Sequence, residues 1–264
     1  MTIGFIGLGN MARAIIGGIL NRAIVSEGSI IGYDMMPAAR NIVTEKYGIA
    51  MGESNKDVAN RSDVVVLAVK PQVIGTVIEE IAGDVSEDTI FISIAPGKSI
   101  AWLTERFGKS VKLVRCMPNT PALVGEGMTG YCVNEKVTAE DKATAEEIIG
   151  SFGKAQEVKE ELMAAVTSVS GSSPAYVFIL IEAMADQAVA DGMTRAQAYE
   201  FAAQAVLGSA KMVLETGKHP GELKDMVCSP AGTTIEAVKV LEKRGFRAAV
   251  EEAMAVCTER AKKI

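Results

Sequence analysis

Short β-branched runs alternate with longer helical patterns from Thr2 to about Val158. The Val and Ile content of these runs is nearly continuous, as in strands that are covered on both faces. This order predicts a parallel sheet wrapped by crossover helices. The predicted strands are Ile3–Ile6, Ser29–Tyr33, Val64–Val69, Thr89–Ile94, Lys112–Cys116 and Gly130–Val133, with Ala155–Val158 as a candidate edge strand.

The pattern changes after about Lys159, where β-branched runs give way to Ala, Met, Glu, Gln and Lys with apolar positions at helical spacing. Gly192 and Gly217 stand where helices are expected to stop, and Thr194 precedes Arg195 as an N-cap. The predicted helices are Glu160–Val169, Pro174–Asp191, Arg195–Thr216, Gly221–Met226, Thr233–Glu242 and Phe246–Lys262.

The sequence therefore predicts an α/β domain over residues 1–159 and an all-α domain over residues 160–264. Within the second domain, Pro174–Asp191 is apolar around nearly its whole circumference, which predicts burial on every side. A helical domain of this size is too small to bury such a helix by itself. We therefore expect an obligate homo-oligomer in which the helix packs against its copy in a second chain.

Composition excludes several classes of protein. The 264 residues carry a net charge of −6, so no broad positive field attracts nucleic acid. Four scattered cysteines show no metal-ligand spacing and suit a reduced, cytoplasmic compartment. His219 is the only histidine, which disfavours a Ser-His-Asp mechanism and a zinc site. We expect no bound metal.

Targeting and membrane segments are also not expected. The apolar N-terminus lacks a basic leader, and Arg13 and several glycines interrupt it. No uncharged apolar run reaches the roughly 18 residues that a membrane span requires.

The first strand leads directly into Gly7-Leu8-Gly9-Asn10-Met11-Ala12 and then into an Ile-rich helix, the context that the dinucleotide-binding fingerprint requires. In that motif Gly7 permits the tight turn, Gly9 lets the backbone approach a pyrophosphate, and Ala12 allows close helix–strand packing. The helix N-terminus faces the anion. An ordinary glycine-rich turn is the alternative.

Asp34 follows Tyr33 at the end of the second strand, where an acidic residue accepts hydrogen bonds from the adenosine ribose. A carboxylate there repels a 2′-phosphate, so we expect NADH to be preferred over NADPH. Two alternatives remain open. Arg40 is close enough in sequence to pair with such a phosphate, and Asp34 is also a common turn former.

Two further strands run into Ala68-Val69-Lys70-Pro71 and Ala95-Pro96-Gly97. Both turns are expected at the carboxyl edge of the sheet, where ligands bind in open α/β folds. Lys70 is a candidate for contact with cofactor or substrate, and a purely structural role at the start of a loop is equally compatible with its position.

Ser229-Pro230-Ala231-Gly232-Thr233-Thr234 is a small, hydroxyl-rich turn directly before a predicted helix. Exposed backbone N–H groups and the helix dipole favour an anion at such a place, which suggests a substrate carboxylate. The simpler interpretation is that Ser229 or Thr233 only caps the helix.

Five ordered segments give the chain a resemblance to the pyrroline-5-carboxylate reductases over essentially its whole length. They are AVKP at Ala68–Pro71, RCMPNTP at Arg115–Pro121, SGSSPAY at Ser170–Tyr176, HPGELKD at His219–Asp225 and SPAGTTIEAV at Ser229–Val238.

The resemblance implies a Rossmann-type doubly wound sheet followed by a 6-phosphogluconate-dehydrogenase-like helical dimerisation domain, in a homodimer or a larger ring of dimers. It implies an oxidoreductase of proline biosynthesis that transfers hydride from NADH or NADPH to the C=N bond of 1-pyrroline-5-carboxylate. The residues that match the family's cofactor site are Gly7, Leu8, Gly9, Asn10, Met11, Ala12, Tyr33, Asp34, Asn55, Ala68, Val69, Lys70, Pro71 and Asn119.

The resemblance also assigns the substrate site. Residues matching Ser229, Gly232 and Thr233 hold the carboxylate, and the hydroxyl matching Thr234 faces the ring nitrogen as the catalytic group. The family usually has a second glycine where this chain has Ala231, a departure that is expected to stiffen the turn. His219 precedes Pro220 in a turn, and we expect a structural role for it.

Reduction of an imine needs mainly a hydride donor held at the right distance and angle, and positioning alone can supply roughly 7–11 kcal/mol. This agrees with a candidate site of hydroxyls and glycines without a histidine. The alternatives are a related imine reductase or β-hydroxyacid dehydrogenase, and a non-catalytic NAD-sensing protein. The dehydrogenases place a catalytic lysine in the helical half, but neither Lys211 nor Lys224 stands in such a motif.

Overall fold

The computed structural model describes residues 1–263. Its strands are β1 Ile3–Ile6, β2 Ile30–Tyr33, β3 Ala50–Met51, β4 Val64–Leu67, β5 Ile90–Ser93, β6 Lys112–Met117, β7 Gly127–Val133 and β8 Gly153–Glu157. They form one sheet in the order β3-β2-β1-β4-β5-β6-β7-β8.

The strand order reverses at β1, with β2 and β3 on one side and β4, β5 and β6 on the other. These six strands are parallel, which is the doubly wound arrangement that places a ligand crevice outside the carboxyl ends of β1 and β4. β7 runs antiparallel to β6, and β8 runs parallel to β7. The predicted fold class is confirmed for this half.

Six helices accompany the sheet: α1 Asn10–Asn21, α2 Pro37–Tyr47, α3 Asn55–Asn60, α4 Ile74–Ile81, α5 Ile100–Phe107 and α6 Ala139–Ile149. Successive strand residues point to opposite faces, so Val64 and Val66 join one apolar cluster while Val65 and Leu67 join another. α1 and α6 contribute to the first cluster, and α3, α4 and α5 to the second. This double burial explains why the strands are apolar without alternation.

The C-terminal half is helical, as predicted. It comprises α7 Met163–Val166, α8 Ser173–Ala190, α9 Arg195–Thr216, α10 Pro220–Val227, α11 Thr233–Lys243 and α12 Phe246–Ala261. Thr194 caps α9 through a capping box with Gln197, and Gly217 ends it in the left-handed conformation at φ 64°. Both end signals are therefore confirmed.

One predicted helix differs from the structure, and one strand was not predicted. The helix expected at Glu160–Val169 is broken into a short 3₁₀ turn, α7, and a π-helical turn over Thr167–Gly171. Thr167 and Ser170 donate side-chain hydrogen bonds to carbonyls four residues back, a pattern that bends helices. The two-residue strand β3 was not predicted, because so short a run carries no periodicity.

The chain divides into two compact units. The first comprises Met1–Ser172 with the C-terminal segment from Cys257, and the second comprises Ser173–Val256. The burial expected of the 174–191 helix is not supplied within one chain, because Phe178 and Ile179 of α8 are 57% and 65% exposed. By length and composition alone, the helical stretch Glu160–Ala190 is also apolar enough to cross a membrane.

Candidate active site

Gly7 forms the tight turn at the carboxyl end of β1. Its φ of +93° lies in the left-handed region, and a Cβ there would lie 2.7 Å from the carbonyl oxygen of Ala68. The Gly7 N–H donates to the carbonyl oxygen of Tyr33 at 2.9 Å. Because this turn passes between the ends of β2 and β4, only glycine satisfies both its conformation and its space.

Gly9 is the N-cap of α1 and leaves open space above the helix N-terminus. No side chain caps the helix, and a Cβ on Gly9 would meet no protein atom within 4 Å. Ala12, one turn further, is 1% exposed and packs in the core. Uncapped N–H groups beside an open glycine suit a pyrophosphate, so these residues fit a nicotinamide dinucleotide.

Asp34 ties the second strand to the glycine turn. Its Oδ2 accepts the Leu8 N–H at 2.8 Å, and its Oδ1 accepts the Met36 N–H at 2.9 Å. The carboxylate is thus a turn former, and each oxygen keeps a further lone pair that can accept a ribose hydroxyl. The guanidinium of Arg40 lies 5.5 Å from the centre of the Tyr33 ring. Tyr33 is the strand residue directly before Asp34.

Two predicted cofactor residues form hydrogen bonds with other parts of the protein. The Asn55 side chain is 9% exposed and donates to Glu80 Oε2 at 2.8 Å. Asn119 donates to the carbonyl oxygen of Ser170 at 3.0 Å and accepts the Met128 N–H at 2.8 Å. Sequence spacing did not indicate these partners, because two of the three are distant along the chain.

The other predicted cofactor residues lie where the strands end. Ala68, Val69 and Pro71 are half-buried directly after β4, beside the Gly7 turn. Lys70 is exposed in the same loop. Gly9 and Asn10, at the start of α1, are also exposed. The structure therefore brings the glycine turn, Asp34 and the 68–71 loop to one edge of the sheet.

The Ser229–Thr234 turn lies in the second unit, between α10 and α11. The Gly232 N–H donates to the carbonyl oxygen of Ser229 at 3.1 Å, and Ala231 has a φ of +57°. Within residues 1–263, the hydroxyls of Ser229, Thr233 and Thr234 have no hydrogen-bond partner. These three hydroxyls are therefore available to a ligand.

The N-terminus of α11 lacks the side-chain cap that four other helices have. Side chains of Ser99, Thr138, Thr194 and His219 cap α5, α6, α9 and α10. α11 instead begins after Gly232, with no side-chain hydrogen bond, so neither Ser229 nor Thr233 acts as a simple cap. The first N–H groups of α11 remain able to bind an anion.

His219 has the structural role expected of it, since its Nδ1 accepts the Gly221 N–H at 3.0 Å at the start of α10. Among the described residues no group of three or more His, Cys, Asp or Glu side chains is arranged to hold a metal ion.

A glycine turn at the switch point of a doubly wound sheet, followed by a helical region, is the arrangement expected of a nicotinamide-dependent oxidoreductase. Residues 2–97 match the family model for NADP oxidoreductases, coenzyme F420-dependent, and residues 160–264 match the model for pyrroline-5-carboxylate reductase dimerisation. The chain belongs to the pyrroline-5-carboxylate reductase family.

Three similar proteins illustrate this membership. The chain is 52% identical to pyrroline-5-carboxylate reductase of Escherichia coli (strain K12), over 99% of this chain and 97% of the relative. It is 43% identical to the enzyme of Methanosarcina acetivorans, with the same coverage. A crystal structure of Plasmodium falciparum pyrroline carboxylate reductase with NADP bound matches with a TM-score of 0.91 and 34% identity, over 100% of this chain and 97% of that one.

Proposed function

We propose that this chain reduces 1-pyrroline-5-carboxylate to L-proline, the last step of proline biosynthesis, with NADH or NADPH as the reductant. The observation that carries the proposal is the pair of glycine-led, uncapped helix N-termini. α1 offers one to the dinucleotide pyrophosphate, and α11 offers the other to the substrate carboxylate. The family membership supplies the identity of the substrate.

The roles of individual residues are those that the family resemblance implies, and the uncapped start of α11 supports them. Ser229, Gly232 and Thr233 would bind the carboxylate, through the Ser229 hydroxyl and the N–H groups at the start of α11. The Thr234 hydroxyl would hydrogen-bond the ring nitrogen and hold the imine in one orientation. When bound, the nicotinamide supplies the hydride.

Thr234→Ala tests the catalytic role. Loss of one positioned hydrogen-bonding group is expected to lower kcat by roughly 10- to 1000-fold. Thr234→Ser keeps the hydroxyl and is expected to retain most of the rate. The assay follows cofactor absorbance with pyrroline-5-carboxylate. Equal rates in wild type and Thr234→Ala would remove Thr234 from the mechanism.

The same assay distinguishes the three functions that the sequence left open. A related imine reductase or hydroxyacid dehydrogenase would oxidise the cofactor with its own substrate but not with pyrroline-5-carboxylate. A non-catalytic NAD-binding protein would bind the cofactor without turnover.

For the cofactor, we retain NADH as the preferred reductant. The Asp34 carboxylate is held at the end of β2 by two backbone N–H groups, and it would oppose a 2′-phosphate there. The ratio of kcat/KM for the two cofactors tests this. A strong preference for NADPH that is lost in Arg40→Ala would assign the phosphate to Arg40 instead, since its guanidinium lies beside Tyr33.

For the assembly, we propose that a second copy covers α8 and α9. Phe178, Ile179 and Phe201 are more than half exposed in the single chain. α8 also carries Glu182 and Asp186, whose charges would be costly in a bilayer. Dimerisation also agrees with the description of the matching family model.

Sedimentation velocity tests this assembly. Wild type is expected as a dimer or a whole-number multiple of the dimer, and Ile179→Asp is expected to shift the mass towards the monomer. A wild-type monomer would contradict the proposal. A cytoplasmic location and a domain boundary at residue 159 stay predictions.

A further inference from the structure

Ala231 has a backbone conformation that L-amino acids seldom adopt. Within residues 1–263 only two residues other than glycine have a positive φ, Ala231 at 57° and Ala23 at 53°. Neither side chain is the short polar type, such as Asn or Asp, that tolerates this region through a local hydrogen bond. Ala231 is therefore strained, so the expectation that it stiffens the turn was wrong. It lies inside the turn assigned above to the substrate carboxylate.

The geometry of the turn explains the strain. The Gly232 N–H donates to the Ser229 carbonyl oxygen at 3.1 Å, which makes Pro230 and Ala231 the two central residues. Proline fixes the first φ near −65°, and a positive φ at the second position is that of a type II turn, which usually has glycine there. A type I turn has a negative φ at this position and suits alanine. The two turns differ mainly by rotation of the Pro230–Ala231 peptide.

The strained turn is the one that groups the ligand-binding atoms. In this conformation the Ser229 hydroxyl lies directly against the Cα of Gly232, where an added methyl group would collide with it. Gly232 is also the N-cap of the uncapped helix α11. The Ser229 hydroxyl thus lies against the residue from which α11 begins. Rotation of the preceding peptide would change this arrangement.

We propose that Ala231 sets the affinity of the turn for the substrate carboxylate, because its strain lets a fraction of molecules leave the binding conformation. The inference rests on the proposed function of Ser229–Thr234. An apparent dissociation constant rises as the competent fraction falls. Ala231 is thus a positioning residue, which acts through the turn and not by contact with the reacting atoms.

The size of the effect has an upper bound. The left-handed region is roughly five- to thirtyfold less populated for alanine than a relaxed region. Pro230 and the Gly232 hydrogen bond already favour the observed turn. The fraction of molecules that leave the binding conformation is therefore smaller than the roughly five- to thirtyfold factor alone would give. We expect Ala231→Gly to lower KM for the imino acid about two- to fivefold. kcat and the KM for the cofactor remain unchanged, because Thr234 and the glycine turn are unaltered.

Ala23→Gly is the matched control. Ala23 is exposed after α1, and its N–H donates to the Leu20 carbonyl oxygen at 3.0 Å in a turn of the first unit. Its positive φ is nearly the same, so both variants should gain a similar amount of thermal stability. Only Ala231→Gly should lower KM, and it should also tighten proline binding by the same factor in calorimetry.

The outcomes separate this inference from the proposed function. An unchanged or higher KM in folded Ala231→Gly would overturn the inference while wild type still reduces pyrroline-5-carboxylate. An equal fall in both variants would indicate a global effect of stability and would also overturn it. Absence of turnover in wild type would refute the proposed function itself, and the inference would fall with it.

Discussion

Gly9→Ala separates cofactor binding from folding. Gly9 has φ −70° and ψ −172°, an extended conformation that alanine adopts without strain. The added methyl would meet no protein atom within 4 Å, so it costs no packing. Loss of glycine at the N-cap costs roughly 1 kcal/mol, and the stiffer unfolded chain offsets about 0.4–1 kcal/mol of it. The free energy of unfolding should change by less than about 1 kcal/mol.

Cofactor binding should change far more. The open space above Gly9 is where the pyrophosphate would approach the N-terminus of α1, and a methyl group would hold it away from the N–H groups. We expect the Kd for NADH and NADPH to rise at least tenfold, or about 1.4 kcal/mol. Fluorescence titration of the reduced cofactor measures the Kd, and urea unfolding measures the stability.

Two other glycines provide the controls. Gly7→Ala places a Cβ 2.7 Å from the Ala68 carbonyl oxygen at a positive φ, and it should destabilise the fold by about 2–4 kcal/mol. Gly83→Ala also adds a methyl in open space, away from the glycine turn, and should change neither quantity. Normal cofactor affinity in a folded Gly9→Ala variant would refute the placement of the pyrophosphate over Gly9.

Two further predictions concern stability and thiol reactivity. Hydrogen bonds from Thr138 and the Lys112 ammonium at 3.0 Å hold the pKa of Asp141 below its usual value, although burial opposes them. Asp141→Asn should therefore lower the free energy of unfolding by roughly 1–2 kcal/mol at pH 7. This difference in free energy of unfolding should shrink as pH falls below about 4, where Asp141 becomes protonated first in the unfolded chain and then in the folded one. A difference that does not change with pH would contradict this explanation. Burial raises the pKa of the Cys116 thiol, so the half-buried Cys228 should react with an aromatic disulfide reagent well before Cys116. Proline bound at the adjoining Ser229–Thr234 turn should slow the reaction of Cys228. Equal reaction rates for the two thiols in folded protein would contradict the burial of Cys116.

The sequence predicted those features that depend on local pattern. Strand β1 and helix α9 were predicted to the residue, because an apolar run beside a glycine turn and a capping threonine before a periodic helix are local signals. The Gly7 turn was predicted for the same reason, and its φ confirms the need for glycine.

Features that depend on distant partners were not predicted. The antiparallel direction of β7 is set by pairing with β6, and no residue of Gly127–Val133 encodes it. The use of both Asp34 oxygens by Leu8 and Met36 also appears only when the strands are in place. The uncapped start of α11 could not be distinguished from an ordinary cap, since serine and threonine near a helix start suit both roles.

The last turn of α12 belongs to the compact unit that contains the sheet. Thr258 donates to the Ser168 hydroxyl at 2.9 Å, and Cys257 lies 3.2 Å from the Ser172 hydroxyl. The helical unit is therefore inserted between two parts of the other unit. A fragment cut after Ser172 would lose these contacts, so the sheet unit is better isolated by joining residue 172 to residue 257 through a short designed loop.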